Sequence, residues 1–87
     1  MPKVKLPYDV TNSLDEYIIR ETGARMAKTG IKYYKENIIA DLAKYTGVTK
    51  ENIKRINRSN AQPSLGVAIK IAEYFNVKVE DIFRISE

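Results

Sequence analysis

The sequence predicts an all-α protein, a compact bundle of about five helices preceded by an extended N-terminal arm. After residue 12, apolar residues recur at intervals of three and four, the spacing that gives a helix one apolar face. No segment beyond the arm alternates apolar and polar residues as a strand would. With 87 residues, 44% of them apolar, the chain is large enough for one hydrophobic core. We therefore expect an arm at residues 1–12 and a single domain at residues 13–87.

The composition argues against several classes of function. Cysteine and histidine are both absent, which removes disulfides, the usual zinc ligands and the usual general base. The sequence has no glycine-rich phosphate loop, so we expect no enzyme activity, no metal and no cofactor. It has neither a signal-peptide core nor an apolar run long enough to span a bilayer, and we expect a cytoplasmic protein without membrane contact.

Segment 38–58 organises the whole prediction. Its apolar spacing runs up to Tyr45, is interrupted at residues 46–48 and resumes after Thr49. Gly47 can end a helix at positive φ without a steric penalty, and Thr49 is a suitable N-cap for the next helix. Two short helices joined by a glycine-containing turn of three or four residues form a helix-turn-helix. The second helix of such a motif can enter the major groove of DNA.

The N-terminal third allows alternatives. Residues 1–12 are either a loosely ordered terminus or an arm that pairs with a partner subunit or lies along the DNA minor groove. A helix should follow at residues 13–22, where Ser13 as N-cap and Glu16 form a capping box. Residues 24–29 either continue that helix or form a separate turn.

Segment 30–46 is also open to two interpretations. It forms either a single helix from Gly30 or two helices with a break near Glu36, where Asn37 would be the second N-cap. Its apolar stripe comprises Ile31, Tyr34, Ile38, Leu42 and Tyr45. Tyr33, Tyr34 and Tyr45 follow or flank the stripe, so we expect core or interface residues rather than base-stacking platforms.

The C-terminal third predicts two further helices. The first begins at Pro63 or Ser64 and ends near Asn76 as its C-cap. A short closing helix follows over residues 77–83, with acids in its first turn, where they suit the positive end of the helix dipole. The buried face of the first helix is expected to comprise Leu65, Ala68, Ile69, Ala72 and Phe75.

The positive charge is concentrated on the helix-turn-helix. Segment 44–58 holds five basic residues and one acid, a net charge of +4 that equals the charge of the whole chain. On a helical wheel Ile53 and Ile56 point to one side, and the opposite side is polar and mostly cationic. This is the electrostatic pattern expected of a surface that binds DNA phosphates.

Side-chain chemistry then suggests roles on this surface. Arg55 can pair with guanine O6 and N7, and Lys50 can donate to the same acceptors less selectively. Glu51 can accept from a cytosine amino group, and the Thr49 methyl group can contact a thymine methyl. The expected base-contacting residues are Thr49, Lys50, Glu51 and Arg55, and the expected phosphate-contacting residues are Lys44, Lys54, Arg58 and Asn60. Alternatively, Glu51 and Arg55 simply stabilise a solvated helix, and Arg58 caps its carbonyl groups.

From residue 38 to residue 83 the chain resembles the phage repressor and Cro-like family of helix-turn-helix regulators, the Xre-type group. The resemblance implies a lambda-repressor-like fold and a transcriptional regulator that binds double-stranded DNA, of the phage or plasmid repressor type. The residues that carry it are Asp41-Leu42-Ala43, Thr46-Gly47-Val48-Thr49, Ile53, Ile56, Pro63-Ser64-Leu65, the run from Ala68 to Val77, and Glu80-Asp81-Ile82-Phe83.

Three features depart from the family pattern. Ile39 stands where the family usually has a polar residue that touches DNA, and Asn57-Arg58-Ser59 replaces the common Glu-X-Gly. Residues 1–37 are longer and differently punctuated than the usual first helix. Because one short helix reads few base pairs, we expect a homodimer that inserts helix 49–58 into the major groove. The alternative is a DNA-binding adaptor, such as an antitoxin, a plasmid partition adaptor or an anti-regulator, that binds a protein through residues 1–37.

Overall fold

Five helices and two short strands make up the fold, in a computed structural model that describes residues 9–58 and 61–86. The predicted five-helix bundle is confirmed, and none of its described helices is long and apolar enough to cross a membrane. In chain order the elements are β1 (Asp9–Asn12), α1 (Leu14–Thr29), α2 (Lys35–Thr46), α3 (Lys50–Asn57), α4 (Leu65–Phe75), α5 (Val79–Ile82) and β2 (Phe83–Ser86).

A two-stranded antiparallel sheet joins the two ends of the domain. Strand β1 pairs with β2 in a register that places Asp9 opposite Ser86 and Asn12 opposite Phe83. The last four residues of the predicted arm therefore pair with the C-terminal part of the same chain. The expected contacts of the arm with a partner subunit or with DNA also involve residues 1–8. These residues lie outside the described part of the chain, so the expectation stays a prediction. The expectation of no strand beyond the arm is wrong: β2 alternates apolar and polar residues over Phe83–Ser86, and Phe83 belongs to this strand rather than to the closing helix.

One hydrophobic cluster forms the core, and every helix contributes to it. Helices α1, α2 and α3 pack most of their buried isoleucine and leucine side chains together, and α4 and α5 cover the other side. The completely buried large side chains are Leu14, Ile18, Ile38, Leu42, Ile53, Ile56, Ile71 and Ile82.

Most predicted helix ends are confirmed. Gly47 follows α2 with φ of 81°, and Asn76 follows α4 with φ of 56°, so both adopt the left-handed conformation. The Thr49 hydroxyl accepts a hydrogen bond from the backbone N–H of Asn52 (3.1 Å), and Ser64 caps α4 in the same way. At the start of α5, the Asp81 carboxylate accepts the backbone N–H of Lys78 at 3.0 Å.

The predicted capping box at the start of α1 is wrong. The Ser13 side chain makes no capping hydrogen bond, although Ser13 does precede the helix. Instead, the side-chain oxygen of Asn12 accepts the backbone N–H of Leu14 at 3.2 Å, and the Ser13 N–H donates to the Ile82 carbonyl. The strand that enters α1 thus supplies the cap, because its pairing with β2 fixes the direction of approach.

The open questions about residues 19–37 are answered by the structure. Helix α1 continues through Gly23 to Thr29, so residues 24–29 belong to the first helix. Helix α2 begins at Lys35, which is neither of the two predicted starts. Asn37 caps this helix from its third position, because its side-chain oxygen accepts the backbone N–H of Tyr34 at 2.9 Å.

Several residues assigned to buried stripes are exposed. Ile31 and Tyr34 precede α2 and expose 62% and 58% of their surface. On α4, Leu65 and Ile69 are exposed, whereas Ile71 is fully buried beside Ala68 and Ala72. The reason is that α4 carries apolar residues around most of its circumference, so that only its packing against α2 and α5 decides which side is buried.

A cluster of polar side chains joins α1, α2 and α4. The Arg25 guanidinium donates to the Asp41 carboxylate at 2.8 Å, to the Tyr74 hydroxyl at 2.7 Å and to Glu21 at 3.0 Å. The bond to Asp41 raises the pKa of Arg25, and burial raises the pKa of Tyr74 to about 12. Arg25 therefore remains charged and fixes α2 between the two helices.

Replacing Gly47 with alanine should lower the free energy of unfolding by about 1–2 kcal/mol, because an L-residue is strained in the left-handed conformation. The added Cβ meets no atom within 4 Å, so strain is the only expected cost. Gly23→Ala is the matched control, because Gly23 lies inside α1 and its added Cβ is equally free. That change should stabilise by about 0.5–1 kcal/mol. Urea unfolding followed by circular dichroism measures both, and shifts of the same sign would contradict this account.

Candidate nucleic-acid interface

The turn between α2 and α3 fixes where the second helix begins. The backbone N–H of Gly47 donates to the Ala43 carbonyl at 2.9 Å and ends α2. Val48 packs against the core, and Thr49 then caps α3 through its hydroxyl. Three residues thus change the chain direction between α2 and α3, as the helix-turn-helix prediction requires.

Two isoleucines set the orientation of α3 about its own axis. Ile53 is 0% exposed and Ile56 is 1% exposed, so this side of the helix is fully buried. The opposite side is in contact with solvent and carries Lys50, Glu51 and Arg55. The helical-wheel prediction is therefore confirmed for the buried side and for the exposed polar side.

The predicted DNA-contacting residues lie where such contacts are sterically possible. Thr49, Lys50, Glu51 and Arg55 are all exposed, at the start and along the outer side of α3. Of the predicted phosphate-contacting residues, Lys44 on α2 and Arg58 after α3 are exposed, and Lys54 is partly covered. Asn60 lies outside the described residues. These contacts stay predictions, because the structure contains no DNA.

The structure does not contain the helix-stabilising pair that sequence allowed as an alternative. Glu51 and Arg55 form no ion pair, and the side chain of Arg58 makes no hydrogen bond to a carbonyl group within the described residues. The backbone N–H of Arg58 does donate to the Lys54 carbonyl at 3.0 Å. The guanidinium groups of Arg55 and Arg58 are thus not used in ion pairs by this part of the chain.

Glu36 is a residue of this surface that sequence reasoning missed. It lies in the first turn of α2, and its Oε1 is 3.1 Å from Nζ of Lys54 and 4.0 Å from Nζ of Lys50. In the sequence it reads as an ordinary acid at a helix start. Only the packing of α2 against α3 brings it to the two lysines.

The end of α3 is held by a second group of polar residues. Asp15 on α1 lies 2.6 Å from Nζ of Lys35 and accepts a hydrogen bond from the Asn57 side chain at 3.1 Å. The Lys35 ammonium, followed by the Asn57 amide, lowers the pKa of Asp15. The Asn12 side chain also donates to the Ile56 carbonyl at 3.0 Å. Asp15 thus connects three helices, a role that its position at a helix start does not reveal.

Two features bear on other sequence expectations. Ile39, at the position where the resembled family has a polar DNA-contacting residue, is 5% exposed and belongs to the core. The Tyr45 ring packs on Tyr74 with 5.6 Å between centroids, and its hydroxyl donates to Glu73, which raises the pKa of Tyr45. Tyr45 therefore joins α2 to α4.

Comparison with known proteins agrees with this geometry. The profile of the Cro/C1-type HTH DNA-binding domain matches residues 25–87, from the second half of α1 to the C-terminus. The chain belongs to this family. This match confirms the resemblance inferred from the sequence, and the family is one of DNA-binding helix-turn-helix domains. Residues 9–24, with β1 and most of α1, lie before the match.

Relatives named as HTH-type transcriptional regulators occur in archaea and bacteria. One from Methanocaldococcus jannaschii is 46% identical over 59 residues, which cover 64% of this chain and 89% of the relative. One from Archaeoglobus fulgidus is 47% identical over 47 residues, covering 54% of this chain and 66% of the relative. One from Bacillus subtilis is 37% identical over 46 residues, covering 53% and 70% respectively.

Replacing Asp15 with asparagine should lower stability at neutral pH, because the neutral side chain loses its ion pair with Lys35. The folded-state pKa of Asp15 lies below its ordinary value of 3.8, so its stabilisation is present above that pH and is lost as the pH falls through the lowered pKa. Because the side chain is 46% exposed, we expect at most about 1 kcal/mol.

The measurement is urea unfolding of wild type and Asp15→Asn at pH 7 and at a pH below the lowered pKa of Asp15. Glu16→Gln is the control, since it removes the neighbouring exposed carboxylate, which has no ion pair in the described residues. A difference between wild type and Asp15→Asn that persists unchanged at the lower pH would argue against the ion pair as its cause.

Proposed function

We propose that the protein is a transcriptional regulator that recognises a specific sequence in double-stranded DNA by inserting α3 into the major groove. The observation that carries this proposal is the arrangement of α3. Its apolar side is buried through Ile53 and Ile56, whereas its exposed side presents Lys50, Glu51 and Arg55. The helix-turn-helix family and the names of its relatives support the same function.

Arg55 is proposed as the principal base-contacting residue. Its exposed guanidinium has no ion-pair partner in the described residues, and it can form two parallel hydrogen bonds to a guanine. Lys50 and Glu51 at the helix start would contact neighbouring bases, together with the Thr49 methyl group. The Thr49 hydroxyl oxygen accepts the cap hydrogen bond from the Asn52 N–H, while its methyl group stays available for a thymine methyl.

Phosphate contacts are proposed for the cations that flank this surface. Lys44 lies at the end of α2 and Arg58 at the end of α3, and both are exposed. Such contacts fix the register of the protein on the duplex and supply much of the affinity. Lys54 and Asn60 complete the proposed set, although Lys54 is paired with Glu36.

A homodimer is the proposed functional unit. With eight residues, α3 is about 12 Å long and reaches only a few base pairs. Two copies related by a two-fold axis would bind two half-sites and thereby gain affinity and specificity. A dimer bound across a promoter would exclude other proteins, so we propose repression, of the phage or plasmid repressor type, as its effect.

A DNA-binding adaptor is the second candidate, and one observation favours it. Ile19 and Met26 are 52% and 38% exposed, and their spacing of seven residues places them on one side of α1. Exposed apolar residues in such a row can bind another protein. On this alternative, the protein would be an antitoxin, a plasmid partition adaptor or an anti-regulator, and α1 would contact its protein partner.

Arg55→Ala should weaken binding to the preferred DNA sequence by about 1–3 kcal/mol and relax discrimination at the contacted base pair. The test is fluorescence anisotropy at two salt concentrations, with genomic fragments around the protein's own gene and with random DNA. Arg20→Ala is the control, because Arg20 is an exposed arginine on α1. A specific regulator should prefer its site about a thousandfold or more.

DNA binding that is independent of sequence would contradict the proposed function. Weak binding that depends strongly on salt but neither on sequence nor on Arg55 would show that α3 only holds phosphates. The adaptor would then be the better account, and a stoichiometric protein partner should co-purify from the native host.

Deletion of residues 1–8 should weaken dimerisation if the arm pairs with a second copy. The larger deletion of residues 1–12, suggested by the sequence, would also remove β1 and its pairing with β2. Sedimentation velocity over a range of concentrations gives the association constant. Ile19→Asn combined with Met26→Asn tests the exposed side of α1 as the rival interface. Unchanged sedimentation of the chain without residues 1–8 would exclude these residues as the dimer interface.

A further inference from the structure

An acidic side chain lies against the cationic surface of α3. The Glu36 carboxylate is 3.1 Å from the Lys54 ammonium and 4.0 Å from the Lys50 ammonium. The two lysines are one helical turn apart, on the same side of α3. A single carboxylate from α2 thus lies against two of the cations that are expected to contact DNA.

Stability does not explain this ion pair. The Glu36 carboxylate that both pairs share is 54% exposed, and ion pairs of such an exposed group contribute little to folding, although Lys54 itself is 27% exposed. Capping does not require it either, because Asn37 closes the start of α2. A carboxylate here repels DNA phosphates while it adds little to the fold, so its effect should be sought in DNA binding.

We propose that Glu36 is a specificity-determining residue that holds the ammonium groups of Lys54 and Lys50 away from DNA phosphates. It thereby weakens sequence-independent binding more than sequence-specific binding. This role rests on the proposed function, since it concerns the same α3 surface. Glu36 acts through the two lysines and is a positioning residue that need not touch a base itself.

The difference between the two binding modes has a physical reason. Sequence-independent binding comes almost entirely from cation–phosphate contacts, and the protein can shift along DNA until each free cation reaches a phosphate. In the specific complex, base contacts by Arg55 and its neighbours fix the register. In this fixed register, a lysine released from Glu36 contacts a phosphate only if one lies within its reach. Lys50 would already contact a base, so its release adds no phosphate contact.

The exposures of the three side chains fit this role. Lys54 is 27% exposed, about half the exposure of Lys50, so it is the cation that Glu36 and the surrounding chain restrain most. Arg55 and Arg58 have no ion pair within the described residues and stay available for DNA. Glu36 therefore restrains the lysines and leaves both arginines unrestrained.

The experiment compares wild type with Glu36→Gln on two labelled duplexes, one of random sequence and one enriched by the wild-type protein from a random pool. Affinities are measured by fluorescence anisotropy between about 50 and 200 mM salt, a range over which each phosphate contact changes affinity roughly three- to fourfold. Glu16→Gln makes the same change in net charge on α1 and is the matched control. Circular dichroism verifies that each variant is folded.

We expect Glu36→Gln to bind the random duplex about threefold more tightly at the lower salt concentrations, with a salt dependence steeper by about one phosphate contact. The affinity for the enriched duplex should rise less. The specificity, which is the affinity for the enriched duplex divided by that for the random duplex, should therefore fall. In a Lys54→Gln background most of the effect of Glu36→Gln on the random duplex should disappear, because the restrained cation is gone.

Three results would overturn the proposal. These are that Glu36→Gln equals Glu16→Gln on both duplexes, that it raises both affinities by the same factor, or that its effect is undiminished in the Lys54→Gln background. In each of these cases a wild-type preference for the enriched duplex would leave the proposed function intact. A wild-type protein that binds both duplexes equally would instead refute sequence-specific regulation, and the role of Glu36 with it.

Discussion

Burial of Ile53 and Ile56 is the interaction on which the DNA-facing surface depends. A helix of eight residues is too short to be stable alone, so α3 owes both its existence and its orientation to packing. These two side chains are almost completely buried, next to Leu42 of α2 in the same core. Once they are in place, the direction of every other side chain on α3 is determined by helix geometry.

The two ends of α3 are fixed by different means. At its start, the left-handed Gly47 and the Thr49 cap allow α3 to follow α2 after only three residues. At its end, Asp15 and Asn12 hold Asn57 and the Ile56 carbonyl from outside the motif. The backbone of the proposed DNA-contacting surface is therefore held at both ends, while its long cationic side chains can adapt to the duplex. Such a surface suits recognition, because less ordering is required on binding.

The cations of this surface differ in whether they form an ion pair, and the sequence does not indicate which of them do. Segment 44–58 carries the whole excess positive charge of the chain, which favours DNA in general. The fold then brings the Glu36 carboxylate to two of the lysines and leaves Arg55 without an ion pair among the described residues. Arginine is the side chain best suited to paired hydrogen bonds with guanine, so a cation that Glu36 leaves available on α3 is of the type that reads bases selectively.

Two of the departures from the family pattern concern the first motif helix and the part of the chain before it. Helix α2 begins at Lys35, before Ile39, so that Ile39 lies within the helix and faces the core rather than DNA. The first turn of α2 instead carries Glu36 and Asn37. The family match begins at residue 25, and the part of the chain before it supplies β1, Asn12 and Asp15 to the domain.

The sequence by itself determined the features that depend on local chemistry. The turn at Gly47, the caps at Thr49, Ser64 and Asn76, and the buried side of α3 all follow from residue type and spacing. They could be predicted because each involves groups within a few residues of one another. The positive charge of segment 44–58 could likewise be predicted, because it is the sum over neighbouring residues.

Only the tertiary structure decided what depends on distant parts of the chain. The pairing of β1 with β2 and the packing of α4 against α2, which decides the buried side of α4, each require an element far away in sequence. So do the contacts of Asp15 with Asn57 and of Glu36 with Lys54, which join residues on different helices. A carboxylate at a helix start satisfies the helix dipole in any fold, and its second role appears only when packing places a cation beside it.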